Sequence, residues 1–151
     1  MTYVKGKDNF DRSKLPANGP NPMVKVPPFW KKDMPNGIKV IGAQSTELPT
    51  VTMFVRIPGG HLAQSEDTSK TGLSSMVAAM MNEDTKNYSA EQMAVELQKL
   101  GSSISVSSDL NGINFSVQSL KKNLDKTLSL LEERMFNPTF TDEAFKRLQK
   151  Q

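Results

Sequence analysis

Few residues of this 151-residue chain could do chemistry, and the shortage itself is informative. There is a single histidine, His61, and there is no cysteine. A catalytic zinc ion takes about three protein ligands, two or three of which are usually His. A self-contained zinc site would therefore need at least two carboxylates beside His61, and no motif brings them there. Ser74 and Ser75 offer hydroxyl nucleophiles on an apolar segment, but a serine nucleophile needs an adjacent general base. The nearest candidate, His61, sits in a polar loop-like stretch and reads as an exposed loop residue. The two serines read as small residues that allow close packing. Met76, Met80 and Met81 read as core filler.

The elements that must position these residues follow from periodicity. Asn36-Gly37 is a turn signal, and Ile38–Ile41 follows as a short strand. Val51, Met53, Val55 and Ile57 alternate with Thr52, Phe54 and Arg56, which predicts a strand with one apolar face, ended by Pro58-Gly59-Gly60. Residues 71–83 carry Leu73, Met76, Val77, Met80 and Met81 at helical spacing. Ser89 and Gln92 match a capping box that opens a second helix, closed by Gly101. Ile104–Val106 and Ile113–Val117 alternate as strands joined at Asn111-Gly112. Residues 123–136 form an amphipathic helix with Leu124, Leu128, Leu131 and Met135 on its stripe, stopped by Asn137-Pro138. Thr141 caps a last helix, with Asp142 and Glu143 favouring its dipole. Charged residues between Lys121 and Glu133, and between Glu91 and Lys99, read as solvated faces.

The order ββ–αα–ββ–αα predicts an α+β architecture, an antiparallel sheet with helices packed on one face. The last helix runs to the end of the chain without a capping signal, so the domain reads as incomplete at its C-terminus. Residues 1–36 differ in texture. They hold six of the nine prolines and seven Lys/Arg against three Asp, a net +4 that leaves −1 for the rest. Such a segment favours extended paths and reads as a linker or arm, with Phe29-Trp30 as its one apolar anchor. No basic stripe with interleaved aromatics points to nucleic acid. No apolar run approaches the roughly 18–20 residues of a membrane span. No signal-peptide apolar stretch follows Met1, which by itself fixes no compartment.

Taken together, Asn36-Gly37-Ile38-Lys39-Val40, a second strand ending near Pro58-Gly59-Gly60, and Lys70-Thr71-Gly72-Leu73 opening a helix resemble the start of a domain of the M16 metallopeptidases. These are the insulinase/pitrilysin-like and mitochondrial-processing-peptidase-like enzymes. Further matches follow in register at Tyr88–Glu91, Leu100-Gly101, Asn137-Pro138 with Phe140, and Phe145–Gln151. The resemblance spans residues 37–151, read as the N-terminal two-thirds of such a domain, with 1–36 as the arm entering it.

The resemblance implies that the helix after Gly72-Leu73 should carry H-x-x-E-H, two zinc ligands and a general base. The matching positions are Ser75, Met76, Val77, Ala78 and Ala79, so the motif's ligands and base are replaced, and the third ligand would fall beyond Gln151. The chain is therefore similar to the non-catalytic halves of M16 enzymes. The implied role is to form chamber wall and to contact substrate or a catalytic partner half, in the same chain or in a separate subunit. Zinc is expected in that other half. The resemblance also implies a peptide-contacting edge strand at Ser102, Ser103, Ile104, Ser105 and Val106, where substrate adds by main-chain pairing. The alternative is a structural or interaction module with no remaining role in proteolysis. A bacterial periplasmic or envelope setting accords with the large two-half members, while the residues fix no compartment.

Overall fold

The computed structural model describes residues 13, 19–21, 23, 26–64 and 68–151. Most of the proline-rich arm, residues 1–12, 14–18, 22, 24 and 25, lies outside the described residues. The chain divides into two compact units, 1–45 and 46–151.

The first unit contains a β-hairpin. Strand β1 (Phe29–Asp33) pairs antiparallel with β2 (Lys39–Ala43), with Trp30 opposite Gly42. The arm reading does not include β1. Residues 29–34 are free of proline between Pro28 and Pro35, so their backbone donors are available for a ladder. The turn is closed by bonds from Met34 N–H to the Ile38 carbonyl and from Gly37 N–H to the Met34 carbonyl, with Gly37 at φ 86°. Asn36-Gly37 thus does what its composition predicts. A Cβ on Gly42 would collide with the Trp30 indole, so that ring lies directly across the glycine.

Among its described residues the second unit holds a three-stranded antiparallel sheet in the order β3-β5-β4, with four α-helices. The strands are β3 (Thr50–Pro58), β4 (Ser103–Ser108) and β5 (Gly112–Leu120). Side chains alternate across a strand, so Met53 and Val55, Ile104 and Val106, and Phe115 and Val117 share one face. Against them pack Ala78 and Met81, Met93 and Leu97, and Leu130 and Leu131, which together form the core. The opposite face carries Ser103, Ser105, Ser116 and Gln118, with Phe54 exposed among them. One covered and one solvated face is the usual economy of an antiparallel sheet.

The helices are α1 (Leu73–Met80), α2 (Ala90–Leu100), α3 (Leu124–Phe136) and α4 (Asp142–Gln149). Both halves of the capping box form: Gln92 N–H donates to Ser89 Oγ at 3.2 Å, and Ser89 N–H to Gln92 Oε1 at 2.9 Å. Gly101, at φ 58°, ends α2 in the left-handed conformation that glycine adopts at no steric cost. Thr141 Oγ1 accepts from Ala144 N–H at 3.3 Å and caps α4.

Two details depart from the periodicity. Helix α1 stops at Met80 rather than reaching Glu83, because Asn82 turns its side chain onto β4. In α3 the buried face is centred on Thr127, Leu130, Leu131 and Arg134, with Leu128 and Met135 half-buried at its margin. Glu133 is buried too, not solvated, and accepts from Asn87 N–H and Asn87 Nδ2 at 3.0 Å and from Asn137 Nδ2 at 2.8 Å. Burial raises the Glu133 pKa, but the donors from Asn87, Asn137 and Thr85 outweigh it and hold the group below its ordinary range. This carboxylate ties the α1–α2 connection to the end of α3.

Candidate functional site

Helix α1 begins at Gly72, whose φ of 86° permits a left-handed N-cap. Ser74 and Ser75 follow in its first turn. The structure brings His61 to both of them: Nδ1 lies 3.2 Å from Ser74 Oγ, and Nε2 lies 3.3 Å from Ser75 Oγ. Ser108 Oγ donates to Ser74 Oγ at 3.0 Å. His61 is therefore a half-buried, bonded side chain and not an exposed loop residue. What places it is the polar segment 59–62, laid against the β4–β5 hairpin. Gly59 N–H, His61 N–H and Leu62 N–H donate to the carbonyls of Asn111, Asp109 and Leu110. The arrangement shares protons among hydroxyls and an imidazole. Among the described residues the ring bonds only to serine hydroxyls, so no carboxylate orients it as a catalytic base requires.

The five positions expected from the sequence to match H-x-x-E-H, Ser75 to Ala79, lie on α1. Ser75 is exposed, Ala79 is half-buried, and Ala78 is 2% exposed within the hydrophobic core. Only Ser75 Oγ is a donor atom, and a neutral hydroxyl is a poor zinc ligand beside imidazole or carboxylate. Among the described residues no three His, Cys, Asp or Glu side chains gather in a group that could hold a metal. The donor set does not fit zinc.

β4 is the outer strand of its sheet. Ser103 and Ser105 stand on the open face, while Ile104 and Val106 are buried at 7% and 6% exposure. Ser102 precedes the strand and bonds inward, its Oγ lying 3.0 Å from Ser119 Oγ and 2.8 Å from Thr127 Oγ1. The outward main chain of β4 is met by side chains. Asn82 Oδ1 accepts from Val106 N–H at 3.0 Å, and Asn82 Nδ2 donates to the Val106 carbonyl at 2.8 Å. Arg134 Nη1 donates to the Ile104 carbonyl at 2.7 Å and to Asn82 Oδ1 at 3.3 Å. Arg134 is buried, which draws its pKa downward, and its Nε finds no hydrogen-bond partner among the described residues. Neither residue carries a signal in sequence. Asn82 looks like an ordinary helix-terminal asparagine, and Arg134 looks like a polar helix position.

At the other end of the strands Asp109 accepts from Asn111 N–H, Asn114 Nδ2 and Gly112 N–H, and pairs with Arg56. Chiefly the Asn111 and Asn114 donors hold its carboxyl at about 2, against the opposing effect of burial.

The family described as Insulinase (Peptidase family M16) matches residues 39–151. Mitochondrial-processing peptidase subunit alpha-1 of Dictyostelium discoideum is 28% identical over 114 residues, 75% of this chain and 17% of that protein. The non-peptidase homolog YmxG of Helicobacter pylori is 25% identical over 114 residues, 76% of this chain and 26% of that protein. The chain thus spans about a sixth to a quarter of the length of these relatives. In fold it is similar to the inactive domain of a peptidase M16 from Pseudomonas fluorescens, with a TM-score of 0.73 at 22% identity, covering 82% of this chain and 30% of that one. The antiparallel sheet and the helices on one face agree with this likeness. The chain belongs to the M16 peptidase family.

Proposed function

We propose that this chain is the non-catalytic half of an M16-type zinc metallopeptidase, with residues 1–36 as its connecting arm. Its role is to form chamber wall and to hold peptide or the catalytic half, while hydrolysis is performed by a partner carrying H-x-x-E-H and zinc. The observation that carries this is Ala78. The position that matches the family's general base is filled by a methyl group packed in the core. Partnership is supported by the relative whose name is that of a peptidase subunit. Peptide contact at Ser102–Val106 belongs to the same proposal, supported by the outer position of β4 and by Ser103 and Ser105 on its open face.

The test is to purify this chain alone and together with the H-x-x-E-H-bearing M16 half encoded in the same or a neighbouring reading frame. Zinc content and cleavage of an unstructured peptide are measured for each. Stoichiometric zinc and turnover are expected only in the combination. One equivalent of zinc and turnover in this chain alone would overturn the reading. If no such half is encoded in either place, the reading becomes an interaction module, in line with the non-peptidase homolog among its relatives.

A further inference from the structure

Every hydrogen-bonding position of the Asn82 carboxamide is used. Its two donors go to the carbonyls of Ala78, at 2.9 Å, and of Val106, at 2.8 Å. Its oxygen accepts from Val106 N–H at 3.0 Å and from Arg134 Nη1 at 3.3 Å. The two bonds to Val106 have a specific meaning. In an antiparallel ladder, one residue exchanges both its N–H and its C=O with the residue facing it on the next strand. Val106 faces Phe115 on the β5 side, yet its own N–H and C=O point outward to Asn82. A side-chain amide carries the same donor and acceptor pair as a peptide group.

We propose that Asn82 stands in for the peptide group of a neighbouring strand and latches the β4 edge. An extended peptide then adds to β4 only after the carboxamide has swung off Val106. Arg134 completes the closure by taking the Ile104 carbonyl and bracing Asn82 Oδ1. Ser102 N–H, next along the same edge, is already bonded to the Leu97 carbonyl. Exposed edges are templates for unwanted pairing, and proteins blunt them with bulges, charges or covers. Here the cover is two polar side chains, which can rotate away without unfolding a helix. The closure stands on the geometry alone. That the occupant is a peptide rests on the reading of β4 as a substrate-contacting edge.

The experiment uses the whole chain as wild type, Asn82→Ala and Asn82→Leu, the last keeping the volume without donor or acceptor. Amide hydrogen exchange is read by NMR at Val106, with Val117 in the central strand as the fold reference. The binding probe is a synthetic peptide with the sequence of residues 113–120, beside a copy N-methylated at alternate residues. The expected result is at least tenfold faster exchange at Val106 with Val117 unchanged, and at least tenfold tighter binding of the unmethylated peptide than to wild type. Unchanged exchange at Val106 in whichever variant keeps Val117 protected overturns the latch. Faster exchange without peptide binding overturns β4 as a peptide edge and leaves Asn82 as a plain edge cover.

Discussion

His61 Nε2 stands 3.3 Å from the hydroxyl of Ser75 in the first turn of α1, the position proposed to match the first histidine of the family's metal motif. The imidazole is thus spent on holding the first turn of α1 to the 59–62 segment. Three residues further into the helix, Ala78 is closed off by packing in the core. On the proposed register, then, the core as well as the donor set stands against the metal motif.

Rebuilding the motif should accordingly fail at one position and not at another. Ser75→His places a ring on an exposed site and should change stability by about 1 kcal/mol or less. Ala78→Glu buries an unpaired carboxylate in the core cluster that also holds Met81, Val106 and Leu131, and should cost about 3 kcal/mol or more. Urea melts of the two single variants check this. Equal stability of Ala78→Glu and the parent would mean that the helix can tolerate the catalytic residue after all.

What the sequence shows and what it hides divide by distance along the chain. The Ser89–Gln92 box, the Thr141 cap, the Asn36-Gly37 turn and the alternation of β3 and β5 are local patterns, and each is readable from neighbours a few residues apart. The polar contacts of the site join residues 14, 24 and 46 positions apart: His61 to Ser75, Asn82 to Val106, and Asn87 to Glu133. No periodicity encodes such pairs. Glu133 shows the consequence, since a glutamate beside an apolar stripe reads as solvated until Asn87 and Asn137 are brought to it. β1 was hidden for another reason, because the prolines around Phe29–Asp33 dominate the composition of a segment that contains a short proline-free window.

Asp109 sets an acid limit on the β4–β5 hairpin. Its carboxyl is held at about 2, below the 3.8 of an unperturbed aspartate, chiefly by Asn111 N–H and Asn114, with Gly112 and Arg56 adding to them. A depressed folded-state pKa contributes stability that is present above pH 3.8 and is lost as the pH falls through about 2. Asp109→Asn should therefore be less stable than the parent at neutral pH, and the gap should close between those two values. Thermal melts at stepped pH measure it, and a gap that persists at the acid end would show that the carboxylate charge is not its source.

The hairpin of the first unit has a built-in reporter, because Trp30 is the only tryptophan. Its indole lies across Gly42, where any Cβ would collide with it. Gly42→Val should push the ring into solvent and shift its emission to the red. An unchanged emission maximum would mean that the ring does not rest on the glycine.

Gly59 and Gly60 look alike in sequence but should fail differently. Gly59 has open space around its missing Cβ and a φ of 124°, so Gly59→Ala should cost about 1–2 kcal/mol of backbone strain alone. At Gly60 a Cβ would run into main-chain atoms of Asp109, Asn111 and Gly112, none of which can rotate aside. Gly60→Ala should therefore cost more, about 2–3 kcal/mol, by prising the 59–62 segment off the hairpin. The same movement must carry His61 away from Ser74 and Ser75. Since His61 is the only histidine, its imidazole protons give isolated NMR signals, and these should shift in Gly60→Ala far more than in Gly59→Ala. The reverse order, in stability or in the His61 signal, would mean that close approach to the hairpin does not hold the imidazole in place.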